Sequence, residues 1–326
     1  MKHQLGQADL RIAVHGIGDH ARRTILPAIQ ECNQLHLVGI STRNPQTRIS
    51  EAQNWNCPAF KDLDQLITRS RPSIVFISTP IAQHYQDGKQ VLKSGMHLWS
   101  EKAFTNNLGH AEELAKLAED HDVTLNVSFP PIYHPMFSKM MEIIKNGDIG
   151  IIRSITSNFS FPHVDKNHSK YGPSGGGALL DVGFYPIIMS TKIAGAVARI
   201  RGAVVRSQPG YQIDTHGAAL LEFASDVLAA VQWGYGTDYT NQITIIGECG
   251  SLTATPIFSK PPLRPLDLKL HRQTETKRIN TPNFNQFTLM LDSFLKTIHS
   301  EKARALSRQT AVDDQRLMMG VLNMSR

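Results

Sequence analysis

Three small residues at fixed spacing, Gly16, Gly18 and Ala21, follow directly on the apolar run Ile12-Ala13-Val14 and open a helical pattern. A strand that turns through glycine into a helix offers an anion backbone N–H donors and the positive end of the helix dipole. The spacing is that of a dinucleotide turn: Gly16 permits the tight bend, Gly18 admits pyrophosphate to the main chain, and Ala21 lets the helix pack closely on its strand. Glycine pairs also occur in ordinary strand-to-helix turns. The position in the first strand–helix unit is what gives this pattern weight. Asp19 stands against it, because a carboxylate beside a phosphate repels it unless it points to solvent; Arg22 and Arg23 are near enough to offset that charge.

The end of the next strand separates NAD from NADP, since an acidic residue there hydrogen-bonds the free ribose 2′-hydroxyl. Here Val38-Gly39-Ile40 runs into Ser41-Thr42-Arg43 with no carboxylate. Two hydroxyls and a guanidinium suit a 2′-phosphate, so NADP is favoured over NAD. The reading of Arg43 as a solvated turn residue stays open.

The elements that position this turn come from alternating patterns in the first half of the chain. Short apolar runs at 11–15, 35–40, 74–78, 97–100 and 124–128 read as strands with helical segments between them, among them 21–32, which contains Pro27, and 111–120. Strand, helix, strand repeated in this way implies a mostly parallel sheet covered on both faces. Past Pro130 the rhythm changes. A helix over 135–146 ends at Gly147, and strand-like runs at 151–161, 197–207, 217–223, 227–235 and 242–247 follow, with Ala224-Ser225-Asp226 as a hairpin connection. Helical patterns at 178–194 and 283–299 complete the second half. The fold class is therefore α/β: an N-terminal Rossmann dinucleotide-binding domain over 1–128, and over 129–326 an α/β domain for substrate binding and oligomerisation with a large, mostly antiparallel open sheet. The C-terminal helix over 283–299 is placed to pack back on the N-terminal domain.

Composition narrows the function classes. The chain has 326 residues, 41% hydrophobic and 19% charged, which is globular and leaves room for two domains. The formal charge of +6 comes from scattered Lys and Arg with no basic run, so no nucleic-acid partner is expected. Cys32, Cys57 and Cys249 make no metal-ligand spacing, and a reducing compartment is the simpler assumption. With no apolar leader at the N-terminus and no run of the length a membrane span needs, the expectation is a cytoplasmic protein without a membrane partner.

Several ordered features resemble the Gfo/Idh/MocA oxidoreductases, named for glucose-fructose oxidoreductase and inositol dehydrogenase. They are the glycine turn, Thr79-Pro80 with His84, Glu101-Lys102, the block Gly175-Gly176-Gly177-Ala178-Leu179-Leu180-Asp181-Val182-Gly183, and Ile245-Ile246-Gly247 with Gly250-Ser251-Leu252. The resemblance implies reversible hydride transfer between NAD(P) and a carbinol or carbonyl carbon of a sugar, sugar derivative, polyol or cyclic diol. It implies an open sheet whose exposed face joins subunits into a homodimer or homotetramer. It places Lys102, after the strand 97–100, at the cofactor crevice, and Glu101 near the nicotinamide ribose. Thr79, Pro80 and His84 join the cofactor set.

Asp181 and Tyr185 are four apart on a helical pattern, so their side chains project from one face. Many members of the family have His at the second position. Tyr185 resembles the subgroup that includes glucose-fructose oxidoreductase and the dimeric dihydrodiol dehydrogenases, where the phenol is the proton donor and Lys102 would lower its pKa. The bland alternative is a core tyrosine with a satisfied hydroxyl. Three departures stand out: Ala103 where the family has Pro, Ile132 before Tyr133 where relatives have Arg, and Tyr185 itself. Ile132 argues against a strongly anionic substrate held by that arginine. His163, Asp165 and His168 have the residue types of metal ligands, but a polar loop over the substrate is the simpler reading. His163 and Tyr133 are therefore taken as substrate contacts, and no metal is expected. Two alternatives remain: a non-catalytic dinucleotide-binding sensor of the same fold, and an NAD-recycling glycosidase.

Overall fold

The computed structural model describes residues 10–162, 171–280 and 284–325. Its first half holds β1 (Leu10–His15), α1 (Leu26–Glu31), β2 (Leu35–Ser41), α2 (Pro45–Asn54), β3 (Ala59–Phe60), α3 (Leu63–Ser70), β4 (Ile74–Ile77), α4 (Ile81–Lys93), β5 (His97–Ser100), α5 (Leu108–Asp120) and β6 (Leu125–Val127). The strands form one parallel sheet in the order β3-β2-β1-β4-β5-β6. The order reverses between β1 and β4. That crevice at the strands' C-terminal ends is where an open α/β sheet binds ligands. All four residues of β4 are buried, as expected of a strand covered on both faces.

The second half contributes α6 (Pro135–Lys145), β7 (Ile152–Phe161), α7 (Phe184–Ala194), β8 (Val197–Arg206), β9 (His216–Phe223), β10 (Leu228–Tyr235), β11 (Thr240–Gly247), β12 (Ser251–Thr255), β13 (Asp267–Arg272), β14 (Glu275–Ile279), α8 (Gln286–Ile298) and α9 (Glu301–Met324). Its sheet has the order β14-β13-β12-β11-β7-β10-β9-β8. Every pairing is antiparallel except that of β7 with β10. The hairpin at 224–226 turns through Asp226, whose φ of 61° is left-handed. The strand pair β13–β14 and the edge strand β3 were not visible in the sequence patterning; both are short and carry many polar residues.

Helices α6 and α7 pack on one face of the large sheet around Ile155, Ile187, Leu221 and Val231. On the other face Val204, Leu220, Leu228 and Ile246 remain 40–49% exposed. Helix α8 returns to the first sheet: Phe287, Met290, Leu291 and Phe294 share a core with Ile12, Val14 and Trp99. Helix α9 is the main omission from the sequence reading, which ended its last helix at 299. Its buried residues are sparse (Ala311, Val312, Gln315, Met318, Val321), so its apolar stripe is too thin to show against a polar background. It ties the halves together through Gln315, whose Oε1 accepts from the Thr105 amide at 3.3 Å, and through the Lys192–Asp314 ion pair.

Candidate active site

A cavity of about 830 Å³ runs from the glycine turn across the crevice to the start of α7. Gly16 has a φ of +87°, and a Cβ there would lie 2.8 Å from the Ser78 carbonyl carbon and the Thr79 nitrogen, so no larger residue fits. Nothing lies within 4 Å of a Cβ built on Gly18, which leaves space over the main chain for a phosphate. Ala21 is fully buried at the start of a π-type turn over Ala21–Ile25 that leads into α1. Asp19 does not oppose an anion here. Its side chain is 75% exposed and is held by Arg22 at 3.1 Å, and Arg22 is itself anchored on Glu51 at 2.8 Å.

At the far end of the turn Ser41 lines the cavity and is held by a buried hydrogen-bond set. Its hydroxyl is fully buried and lies 2.7 Å from Nδ1 of His15, whose Nε2 is 3.5 Å from Asp87; Thr79 donates to the same carboxylate at 2.6 Å. Burial raises Asp87, but its contacts with His15 and Thr79 outweigh burial and hold it below the usual carboxylate range. A Ser–His–Asp set of this kind suggests a nucleophile, yet a serine with no exposed surface cannot reach a substrate. The set instead ties the ends of β1, β2 and β4 to α4. Beside Ser41, the cavity wall at this end carries Thr42, Arg43 and Lys61. Arg48 fixes the Thr42–Arg43 turn by donating to both carbonyls, at 3.1 and 2.9 Å, and the Thr42 amide donates to Phe60 at 3.1 Å, which brings Lys61 alongside. Lys61 was invisible in the sequence because only the β2–β3 pairing places it there.

His84 is 1% exposed and stands between the Thr79 carbonyl, 2.7 Å from Nε2, and the Ala103 carbonyl, 3.0 Å from Nδ1. It braces the two loops that flank the crevice. Glu101 lies 3.2 Å from Nε2 of His20 and accepts from the Lys102 amide at 3.3 Å. Burial pushes this carboxyl up, but His20 and Lys102 bring it below its ordinary range.

The chemical centre joins residues that are far apart in sequence. Lys102 Nζ donates to Asp181 Oδ1 and to the Asp181 carbonyl, both at 2.7 Å. Tyr235, at the end of β10, donates to the other carboxylate oxygen at 2.7 Å. Burial lowers the Lys102 pKa, but Asp181 and its neighbours reverse this and hold the ammonium above the ordinary lysine value. That ammonium stands 4.8 Å from the ring centroid of Tyr185. Tyr185 is 6% exposed among Phe129, Phe159 and Phe258. Its phenol pKa is raised: burial dominates, and Lys102, which lowers it as the sequence reading expected, offsets only part of that.

The helix carrying these side chains starts at a cap that sequence reasoning missed. The Ala178 amide donates to the Asp214 carbonyl at 2.9 Å and the Leu179 amide to the Asp214 carboxylate at 2.6 Å. A Cβ on Gly177 would fall 1.8 Å from that carboxylate, which accounts for the glycine. Tyr133 does not line the cavity; it packs against the core containing α8, with its hydroxyl against Ser293. His163 lies outside the described residues. Among the described residues no group of three His, Cys, Asp or Glu is placed to hold a metal, and no helix is long and apolar enough to cross a membrane.

Comparison with known proteins identifies the family of the chain. Residues 10–129 match the oxidoreductase family with an NAD-binding Rossmann fold, and residues 137–253 match the GFO/IDH/MocA C-terminal domain. A dTDP-3,4-didehydro-2,6-dideoxy-α-D-glucose 3-reductase of Streptomyces violaceoruber is 28% identical over 291 residues, 89% of this chain and 85% of that protein. A D-xylose 1-dehydrogenase (NADP⁺) of Haloferax volcanii is 23% identical over 300 residues, 90% of each chain. The crystal structure of a 3-ketoreductase from Actinomadura kijaniata in complex with NADP and TDP-benzene superposes with a TM-score of 0.93 at 25% identity, covering 97% of this chain and 98% of that one. The chain belongs to the Gfo/Idh/MocA family and is an NAD(P)-dependent oxidoreductase.

Proposed function

We propose that this chain is an NADP-dependent reductase of a ketosugar carbonyl, with Tyr185 as proton donor and Lys102 and Asp181 as its electrostatic support. The observation that carries this reading is the buried phenol beside the Lys102–Asp181 pair on the wall of the dinucleotide cavity. The cavity fits a nicotinamide dinucleotide: Gly16 and Gly18 leave room for pyrophosphate, Glu101 faces the crevice, and Thr42, Arg43 and Lys61 suit a 2′-phosphate. Thr79 and Pro80 form the loop beneath it, and His84 holds that loop. Bound there, the dinucleotide supplies the hydride.

A phenol raised above its ordinary pKa by burial is fully protonated at neutral pH, which suits giving a proton to a carbonyl oxygen better than taking one from an alcohol. Reduction is therefore the favoured direction. The departing proton leaves a phenolate that the Lys102 ammonium stabilises, and Asp181 with Tyr235 keeps that ammonium in place. The walls around the pair are Ile81, Ala103, Phe159, Phe161, Leu180 and Val182, a surface suited to the C–H face of a deoxygenated sugar. With several relatives acting as 3-reductases of dTDP-linked dideoxy sugars, the 3-keto group of a nucleotide-linked deoxysugar is the proposed substrate.

The test follows NADPH oxidation with nucleotide-linked ketosugars and, in the reverse direction, NADP⁺ reduction with xylose and polyols. Y185F is expected to lose at least about a thousandfold in kcat with NADPH affinity unchanged. Full turnover in Y185F would remove the phenol from the mechanism. The uncovered face of the large sheet, with Val204, Leu220, Leu228 and Ile246, supports assembly with a second copy of the chain. Light scattering of L220K should then show a smaller species than the unaltered protein, and an unchanged mass would refute that use of the face.

A further inference from the structure

A buried proton donor must be recharged. Each reduction takes one proton from Tyr185, whose ring is enclosed by three phenylalanines and whose open side faces the substrate. Lys102 is poorly placed to return it. Two of its N–H bonds are directed at Asp181, its charge is held by that carboxylate, and it sits over the ring face.

Ser259 shares the cavity wall with Tyr185, and its hydroxyl is near enough to the phenol to lower its pKa by hydrogen bonding. It lies in the stretch between β12 and β13, lines the cavity and is exposed to solvent, whereas Phe258 before it is 2% exposed and packs against Tyr185. This in-and-out arrangement is imposed by Asn241 of β11, itself 2% exposed. The Asn241 carbonyl oxygen accepts from the Ile257 and Phe258 amides, both at 2.8 Å, while its amide donates to the Ser259 carbonyl at 3.1 Å and to the Tyr239 hydroxyl at 3.1 Å. A buried polar side chain satisfied in this way holds one loop geometry. What that geometry fixes is a hydroxyl with one face on a buried phenol and the other on water.

We infer that Ser259 is the proton relay that restores Tyr185 after each turnover. A hydroxyl carries one donor and two acceptor sites, so it can accept from water while it donates to the phenolate. The serine O–H bond breaks as the tyrosine O–H bond forms, and a water proton re-forms the serine O–H. One proton per turnover thus enters from solvent and one leaves Tyr185 for the substrate oxygen, with no electrons passing through the serine. This rests on Tyr185 as proton donor.

Ser259→Ala, Ser259→Thr and Tyr185→Phe separate the possibilities. In the protein without cofactor, exchange of the Tyr185 hydroxyl hydrogen is read from the isotope splitting of ¹³Cζ-tyrosine in mixed H₂O and D₂O, with Y185F giving the assignment. S259A is expected to slow that exchange about tenfold or more, and S259T to restore it. In S259A the first turnover should keep its rate, because Tyr185 begins protonated, while steady-state kcat falls about tenfold or more with NADPH affinity unchanged. Wild-type exchange and wild-type kcat in S259A, with Y185F inactive, would overturn the relay alone. A first turnover slowed as much as the steady state would also overturn it, since that marks a positioning effect. Activity in Y185F would overturn the reading of Tyr185 itself.

Discussion

Removing either cation at the ribose end should change which dinucleotide binds, not whether one binds. Arg43 and Lys61 line the cavity and, among the described residues, neither has an ion-pair partner, whereas Asp62 is committed to capping α3 through the Gln65 amide at 2.9 Å. A charge-assisted contact to a phosphate contributes about 1.5 to 3 kcal/mol. Both side chains reach from exposed positions, so the low end applies, about 1.5 kcal/mol each after screening. Since about 1.4 kcal/mol is tenfold in affinity, R43A and K61A should each raise the NADPH Kd about tenfold. The double variant should fall short of a hundredfold, because both cations contact one phosphate and their effects are coupled. NADH lacks the group they recognise, and its Kd should move by less than about twofold. Fluorescence titration of each protein with both reduced cofactors at one fixed ionic strength measures these constants. Equal loss for NADH and NADPH, or no loss for either, would refute the assignment of this end of the cavity to a 2′-phosphate.

Two further outcomes bear on the centre and its frame. D181N leaves the Lys102 ammonium, 9% exposed, without its carboxylate; breaking a buried pair from one side costs about 3 to 5 kcal/mol, so thermal unfolding should drop by several degrees and kcat should fall. An unchanged melting temperature would show that the pair contributes little to stability. His97, where Nδ1 accepts from the Thr124 amide at 2.9 Å, has its pKa lowered to about 4, mainly by burial and next by Arg304. Its folded value lies below its unfolded one. Its contribution is thus complete above about pH 6.5 and is lost as pH falls toward 4. H97N retains an acceptor for Thr124 without titrating, so its melting temperature should decline less than that of the unaltered protein over this window; parallel curves would refute the assignment.

How far the sequence discloses such a site depends on what each residue does. The glycine turn is legible because its chemistry is main-chain chemistry: a φ of +87° at Gly16 and open space over Gly18 can be read from residue type and spacing alone. Arg43 is legible for a similar reason, being attached to the end of a recognisable strand. Lys61, Tyr235, Asp214 and Ser259 are not, since each reaches the site through a sheet register or a loop whose course is set by distant partners. Residue type misled in the opposite direction at Tyr133, where α8 covers an aromatic that the local sequence presents as available. Asp19 seemed an objection only until the structure turned it toward Arg22.

The same distinction decides between the two candidate acids at the centre. Read as types, Lys102 and Tyr185 are both able to protonate a carbonyl oxygen. In place, they are unequal. An ammonium whose pKa is held above the ordinary lysine value by a carboxylate 2.7 Å away is a weaker acid than free lysine, and to give up a proton it would have to forfeit its charge pairing with Asp181. The phenol is also a weaker acid than free tyrosine, but its conjugate base would form next to that same ammonium, so the charge generated in the transfer is met by one already present. The pair Lys102–Asp181 therefore acts best by keeping its proton. In the proposed mechanism its value lies in a positive charge that keeps its proton, fixed over the ring where negative charge would develop.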